Sequence, residues 1–169
     1  MIYKFRVILD TEEDVFRDIE IEAEHSFEDF HTIIRESFGF KGNEMASFYV
    51  SDDYWIQGTE IMLFAMDEDS TDSRIMRKTL LKEFVSKAQD KLIYIYDFLA
   101  LWTFYITLIK TDKKVAGKTY PNLLRVHGTL PEISPKKQFE GEALSSPGTT
   151  DNDPDIHNYD NSDFEGYWN

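Results

Sequence analysis

The sequence predicts an α+β fold: a mostly antiparallel β-sheet of five to seven strands, with one long and one short helix packed on it and an acidic C-terminal tail. Three observations support this. Several short segments alternate apolar and polar residues, one segment repeats apolar residues at helical spacing, and the last part of the chain shows neither pattern. The 169-residue chain is long enough for one well-buried domain, which we place at residues 1–137, followed by a tail at 138–169 that we expect to be disordered or docked.

The first two strands are predicted to form a hairpin. Residues 2–9 place apolar side chains on one face and Lys4 and Arg6 on the other. Residues 17–23 alternate in the same way, with acids opposite the apolar positions, and the polar cluster DTEED lies between the two segments. We therefore expect both cations to face acids across an antiparallel pair, each contact contributing a few tenths to ~1 kcal/mol.

A long helix is predicted over residues 27–38. Ser26 is typical of a helix N-cap, acids follow it in the first turn, and Gly39 is typical of the residue after a helix. The apolar residues that recur at helical spacing are Phe27, Phe30, Ile33, Ile34 and Phe38. This pattern predicts a helix that packs across the hairpin.

The middle of the chain indicates two more strands, at residues 45–50 and 59–66, joined by the turn sequence SDDYWIQG. A polar loop follows. Thr79 is then placed to cap a short helix over residues 80–87, whose apolar positions also have helical spacing.

The segment at 91–110, KLIYIYDFLALWTFYITLIK, contains two aromatic-rich apolar runs around a short connection, which predicts the central hairpin. Residues 110–118 are predicted to form a basic loop. No periodicity follows Tyr120, so no strand is predicted there.

Composition narrows the possible chemistry. The chain has no cysteine, which excludes disulfides, thiolate metal sites and cysteine nucleophiles. The start of the sequence lacks the features of a secretion signal, and the longest apolar run is too short to cross a bilayer, so we expect a cytoplasmic protein without a membrane segment. The net charge is −14, of which the tail, with eight acids and no Lys or Arg, supplies more than half. This charge disfavours duplex nucleic acid as a partner.

Several motifs resemble a known family in their order and spacing. They are YKFRVIL, VFRDIEIEA, SFEDFHTIIRESFGF, YIYDF followed by Trp102, and the closing YPNLL and GTLPE. Over about residues 2–137 the chain resembles the Ri-plasmid ORF-three-like family, uncharacterised proteins found on plasmids and as passengers of insertion elements. The family pattern has a Gly, two Asp and a His after YDF, whereas this chain has Leu99, Ala100, Leu101 and Phe104. The resemblance therefore implies a retained fold with an altered function.

Three carboxylates are candidates for chemistry. Asp97, in the YIYDF motif, is either a general base or ligand or an acid that accepts hydrogen bonds from the adjacent turn, and we favour the turn. Asp52 and Asp53 are either ligands of a divalent cation or ordinary turn residues, and we again favour the turn. The histidines are scattered, and a helical histidine such as His31 is more often a surface residue than a ligand. We predict no metal site and no cofactor.

The candidate binding residues are aromatic or basic. The aromatic residues are Tyr54, Trp55, Trp102, Tyr159, Phe164, Tyr167 and Trp168, and the basic patch consists of Lys110, Lys113, Lys114, Lys118 and Arg125. Aromatic rings among acids, as at the end of the tail, recur in segments that dock in a partner's groove. For the basic patch, phosphate contact, pairing with the protein's own acids and a solvated loop all remain open.

Three functions remain from the sequence. We favour a non-enzymatic protein-interaction module that acts through the aromatic hairpins or the acidic tail. The second hypothesis is a mobile-element-associated hydrolase or nuclease-like enzyme that uses Asp97 together with Asp52 and Asp53. The third is a nucleic-acid-binding accessory protein that uses the basic patch over residues 110–125. The oligomeric state is left open.

Overall fold

The computed structural model of the chain describes residues 1–65, 67 and 74–135. It contains one α-helix, α1 (Phe27–Phe38), and seven strands: β1 (Ile2–Leu9), β2 (Phe16–Glu22), β3 (Ala46–Ser51), β4 (Glu60–Met62), β5 (Lys91–Tyr96), β6 (Trp102–Asp112) and β7 (Asn122–His127). The strands form one sheet in the order β4-β3-β5-β6-β1-β2-β7, and all neighbours are antiparallel. The predicted α+β fold is confirmed.

Both ends of α1 are fixed as its sequence predicts. The Ser26 hydroxyl accepts a hydrogen bond from the Asp29 backbone N–H at 3.1 Å, and the Asp29 carboxylate accepts one from the Ser26 backbone N–H at 2.9 Å. This reciprocal arrangement satisfies N–H groups that lack partners within the helix. At the other end, Gly39 has φ 82°, a left-handed conformation that glycine adopts without a Cβ clash.

The core lies between α1 and one face of the sheet. Phe30 of the helix stacks on Phe5 of β1 with 4.6 Å between ring centroids, and on Phe48 of β3 at 5.5 Å. Phe48 in turn contacts the ring of Tyr94 in β5 at 4.7 Å. All four side chains are buried. Burying rings of this size contributes roughly 2–3 kcal/mol each, so this aromatic layer holds the helix to the sheet.

The predicted β1–β2 hairpin has the expected charge pairing. Lys4 lies opposite Glu20 and Arg6 lies opposite Asp18. The Arg6 guanidinium donates two hydrogen bonds to the Asp18 carboxylate, at 2.8 and 2.9 Å. This bidentate geometry is the favourable one for an arginine–carboxylate pair.

The short helix predicted over 80–87 is instead part of a pair of single 3₁₀ turns, Met76–Lys78 and Leu81–Glu83. The backbone here makes only short-range bonds within each turn, and it also bonds to the segment before α1 and to the first turn of α1. Leu81 N–H donates to the His25 carbonyl, and Lys82 N–H donates to the Ala23 carbonyl, each at 3.0 Å. The Thr79 carbonyl accepts from the N–H of Phe27, the first residue of α1, also at 3.0 Å. These tertiary bonds replace the regular ladder that the apolar spacing suggested.

Two boundaries after the central hairpin also differ from the prediction. β6 extends to Asp112, so Lys110 lies in a strand and not in a loop. Residues 122–127 form β7, an edge strand that was not predicted. The predicted tail at 138–169 lies outside the described residues. Within the described part of the chain, the helices are too short and too polar to span a membrane.

Candidate functional site

The connection from β3 to β4, residues 52–58, is a tightly specified turn; we call it the β3–β4 turn. The Asp52 carboxylate accepts hydrogen bonds from the backbone N–H groups of Tyr54 at 2.9 Å and Ile56 at 3.2 Å. The Asp52 carbonyl accepts from Trp55 N–H at 3.0 Å, and the Ser51 hydroxyl donates to the Ile56 carbonyl at 2.9 Å. Asp52 therefore orders the turn, because aspartate readily satisfies nearby backbone donors.

Gly58 closes the β3–β4 turn against β3. Its N–H donates to the Val50 carbonyl at 2.8 Å. A Cβ at position 58 would lie 2.6 Å from that same carbonyl oxygen, closer than side-chain carbons approach. Only glycine fits here without a backbone shift, so this close approach of the turn to β3 depends on Gly58.

Trp55 folds back from the turn onto the sheet. Its backbone is left-handed, with φ 58°, and its ring lies 4.9 Å from the ring of Tyr105 in β6. The Lys91 ammonium lies 5.4 Å from the Trp55 ring centroid and 3.8 Å from an Asp53 carboxylate oxygen. The non-glycine left-handed conformation is sparsely populated and persists where surrounding contacts hold it.

Because Trp55 points inward, its two neighbours point outward. Tyr54 is 85% exposed and Ile56 is 62% exposed, although both are large and the turn that carries them is ordered. Beside the turn is an open cleft of about 430 Å³ between residues 51–53 and residues 87–91. The site is thus a rigid projection with one aromatic and one aliphatic side chain next to a polar cleft.

Asp97 orders the β5–β6 connection. Its carboxylate accepts hydrogen bonds from Leu99 N–H at 3.1 Å and Ala100 N–H at 3.2 Å, and its own backbone is left-handed with φ 60°. Asp97 therefore stabilises the turn by accepting hydrogen bonds from its backbone N–H groups. This connection exposes Phe98 (43%) and Leu99 (84%), a second apolar projection from the sheet.

The three candidate carboxylates do not converge. Ser51 pairs with Lys91 at one end of the β3–β5 pair, so Asp52 and Asp53 follow that end. Asp97 lies six residues beyond Lys91 at the other end, which places it on the order of 20 Å away along the strand. Across the described ranges, no group of three metal-ligating side chains is close enough to hold an ion. The three carboxylates that the enzyme hypothesis combines therefore do not share one site.

Trp102 is a core residue rather than a contact residue. It is 7% exposed, and its ring packs edge-on against Phe40 with 5.5 Å between centroids. Of the candidate binding aromatics, this one is therefore buried in the fold. The tail aromatics Tyr159, Phe164, Tyr167 and Trp168 lie outside the described residues.

Two of the five residues of the basic patch are paired with the protein's own acids. Lys114 pairs with Glu22 at 2.8 Å, and Lys118 pairs with the buried Glu20. For Glu20, burial is the largest single effect and raises the pKa, but the hydrogen bonds and charges around it, chiefly from Lys118, lower the pKa overall. For Glu22, the hydrogen bond from Lys114 is the largest effect and lowers the pKa. Arg125 lies over the ring of Phe16, 5.5 Å from its centroid. Lys114, Lys118 and Arg125 thus lie against side chains of β2, whereas Lys110 and Lys113 are exposed.

His31 is buried, contrary to the surface position expected for it. It is 3% exposed, and its Nδ1 lies 2.7 Å from the Tyr94 hydroxyl. Burial, together with the charge of Arg35, lowers the pKa of His31 to about 4. Burial raises the pKa of Tyr94 well above its ordinary value, so both groups are neutral near pH 7. The helical spacing could have placed His31 on the core side, since it is one turn after Phe27 and one turn before Ile34.

Together these features define a single-sheet α+β domain with one helix, ordered turns and no assembled catalytic constellation among the residues the structure describes. The chain matches the family of plasmid pRiA4b ORF-3-like proteins over residues 1–133. It belongs to that family.

The fold also resembles a solved structure. The crystal structure of a protein of unknown function, MM3350 from Methanosarcina mazei Go1, superposes with a TM-score of 0.66 and 17% sequence identity, over 84% of this chain and 81% of that one. At this identity the likeness concerns the fold alone. A comparison with curated proteins gives no significant match.

Proposed function

We propose that this protein is a non-enzymatic protein-interaction module and that the β3–β4 turn is its contact surface. The observation that supports this is the outward display of Tyr54 and Ile56 from a turn whose conformation is fixed by Asp52 and Gly58. The turn projects from the sheet, so the partner it fits is a protein with an apolar groove.

Preorganisation is the physical reason for this choice. Binding orders side chains and loops, and each group already ordered before binding reduces that cost. Here Trp55 is held between Tyr105 and Lys91, and the backbone that carries Tyr54 and Ile56 is hydrogen-bonded to Asp52 and Ser51. Tyrosine is also a residue type enriched among those that dominate interface energetics.

The competing functions have less support. Asp97 and Asp52 each accept two backbone hydrogen bonds within their own turns, at opposite ends of the β3–β5 pair. Lys114 and Lys118 are paired with acids of β2. We also keep the predicted cytoplasmic location as a proposal, which cell fractionation would test.

A photo-crosslinking experiment tests the location of the contact surface. The full chain is expressed in its source cells with a photoreactive phenylalanine derivative at position 54, 99 or 115, and crosslinked products are identified by mass spectrometry. We expect one discrete protein adduct from position 54. Position 99 reports on the other apolar projection, and position 115 is a control because Val115 is 55% exposed but lies in the loop after β6.

The crosslinking yields from the three positions are compared to locate the contact surface. An adduct from position 54 that disappears when Ile56 is changed to serine supports the proposal, since both side chains then belong to one surface. The same adduct from position 99 alone would place the interface at the β5–β6 connection and contradict it. Equal yields from all three positions would indicate random collision and would also contradict it.

A further inference from the structure

The loop between β6 and β7, residues 113–121, lies against β2; we call it the strap. Residues 113–119 of the strap are exposed, and Tyr120 and Pro121 are half-buried. An open cleft of about 540 Å³ lies between residues 111–114 and Met1. Because none of the strap's residues is fully buried, apolar packing contributes little to holding it in place.

Polar contacts with β2 hold the strap instead. Lys114 pairs with Glu22 at 2.8 Å, and Lys118 pairs with Glu20. Asn122, the first residue of β7, donates a hydrogen bond from its side chain to Glu20 at 3.0 Å. The hydrogen bond to Glu22 raises the pKa of Lys114, and the one to Glu20 raises the pKa of Lys118, so both lysines stay charged at neutral pH.

The far end of β7 is held more firmly than the strap. There the buried Arg17 donates to the carbonyls of His127 and Gly128, each at 3.0 Å. In the strap, the side chain of Lys114 is 56% exposed and that of Lys118 is 37% exposed. Ion pairs of such exposed side chains add little stability, and salt weakens them. The strap is therefore the weaker of the two attachments.

The strap and the start of β7 cover part of β2. Backbone bonding alternates along an antiparallel pair, and Leu9 N–H donates to the Val15 carbonyl at 2.9 Å. By this alternation the even-numbered residues of β2 direct their N–H and C=O groups away from β1 and toward β7. Glu20 is one of them and lies opposite Asn122. Its side chain is also covered, since Glu20 is only 2% exposed.

We propose that the strap opens locally while the rest of the domain stays folded, and that it controls access to the edge of β2 at Glu20. The attachments that must break are charge pairs, whereas β2 keeps its pairing with β1 when the strap opens. The strap is thus a salt-sensitive device. It lies near one edge of the sheet and the β3–β4 turn lies at the other, so the proposal does not depend on the proposed function above.

Native-state hydrogen exchange of the intact chain tests the proposal. Exchange is followed by NMR, residue by residue, at increasing urea concentrations below the unfolding transition. The strap is monitored at the amide of Val115, which donates to the Tyr120 hydroxyl at 3.3 Å, and at the amide of Asn122. The amide of Ile106, a fully buried residue in the inner strand β6, reports on global unfolding.

Two variants with the same change of charge are compared. Lys114→Gln/Lys118→Gln removes both ion pairs of the strap. Lys110→Gln/Lys113→Gln is the matched control, since these two lysines are exposed and form no ion pair within the described part of the chain.

In the wild-type chain, we expect the strap amides to exchange through an opening that urea does not promote, while exchange at Ile106 becomes faster with urea. The Lys114→Gln/Lys118→Gln variant should exchange about fivefold faster at the strap and within about twofold of wild type at Ile106. High salt should speed strap exchange in the wild type but not in this variant. The control should stay within about twofold of wild type at the strap.

Three results would overturn the proposal. The first is strap amides that follow the same urea dependence as Ile106, because the strap would then open only when the domain unfolds. The second is an equal rise in the variant and the control. The third is strap exchange in the wild type that does not respond to salt.

Discussion

Replacing Arg17 with methionine is expected to lower the free energy of unfolding by about 3 kcal/mol, the scale of a broken buried charge network. Arg17 is 4% exposed. Its guanidinium donates to the carbonyls of Ser37 at 2.8 Å, Phe16 at 2.8 Å, His127 at 3.0 Å and Gly128 at 3.0 Å. Methionine has no donor, so these buried carbonyls would lose their partner.

The position of Arg17 explains why one side chain matters this much. It connects β2 with the carboxyl end of α1 and with the end of β7, and its guanidinium also lies 4.5 Å from the Phe38 ring centroid. The negative end of the helix dipole at Ser37 favours a cation there. Burial lowers the pKa of Arg17, but arginine stays charged at any ordinary pH.

Urea unfolding of the two matched variants measures the effect. Arg125→Met is the control, because Arg125 is exposed and also comes from the sheet; it should cost less than about 0.5 kcal/mol. Arg17→Lys should recover only part of the loss, since a single ammonium cannot reach both sides of the site. An Arg17→Met protein as stable as wild type would refute this account of the helix end.

Lowering the pH from above 6.5 to below about 4 should reduce the free energy of unfolding by ~3 kcal/mol through the titration of His31, in addition to the effect of the carboxylates. The pKa of His31 is lowered from 6.5 to about 4 in the folded protein, first by burial and second by Arg35. The unfolded chain therefore binds a proton below pH 6.5 that the folded protein binds only near pH 4. The contribution of neutral His31 is complete above pH 6.5 and is lost as the pH falls to about 4.

The His31→Asn variant isolates this effect from the carboxylates, which also titrate in acid. Asparagine keeps a polar atom near the position of Nδ1, beside the Tyr94 hydroxyl, but does not titrate. The variant should be less stable than wild type at neutral pH, and the difference should shrink as the pH falls from 6.5 to 4. Parallel stability curves across that range would show that His31 is not the titrating group.

The sequence was sufficient to predict an element where its local pattern and its tertiary contacts favour the same structure. The bounds of α1 could be predicted because Ser26, Asp29 and Gly39 specify its ends by local bonds. That Arg6 faces an acid across the β1–β2 pair could be expected from the alternation of the two strands, and this acid is Asp18. In both cases the residues that carry the signal are close in sequence: within a few residues for the ends of α1, and twelve residues apart for Arg6 and Asp18.

The sequence was insufficient to predict the local structure where contacts with residues far away in the chain determine it. The apolar spacing around Leu81 suggested a helix, but the N–H groups of Leu81 and Lys82 donate to the carbonyls of His25 and Ala23, which belong to a distant segment. β7 is an exposed edge strand, so it lacks the alternation that burial imposes on inner strands. The outward display of Ile56 depends on the inward stacking of Trp55 on Tyr105, which is fifty residues away.

The affinity of the purified partner, once identified by crosslinking at position 54, tests the central claim most directly. We expect the Tyr54→Ser/Ile56→Ser variant to bind that partner at least about 30-fold more weakly than wild type, since it removes both anchors of the turn. Val115→Ser, a change at a similarly exposed apolar residue, should stay within about twofold. An unchanged affinity in the double variant would contradict the account, because the β3–β4 turn would then not be the contact surface.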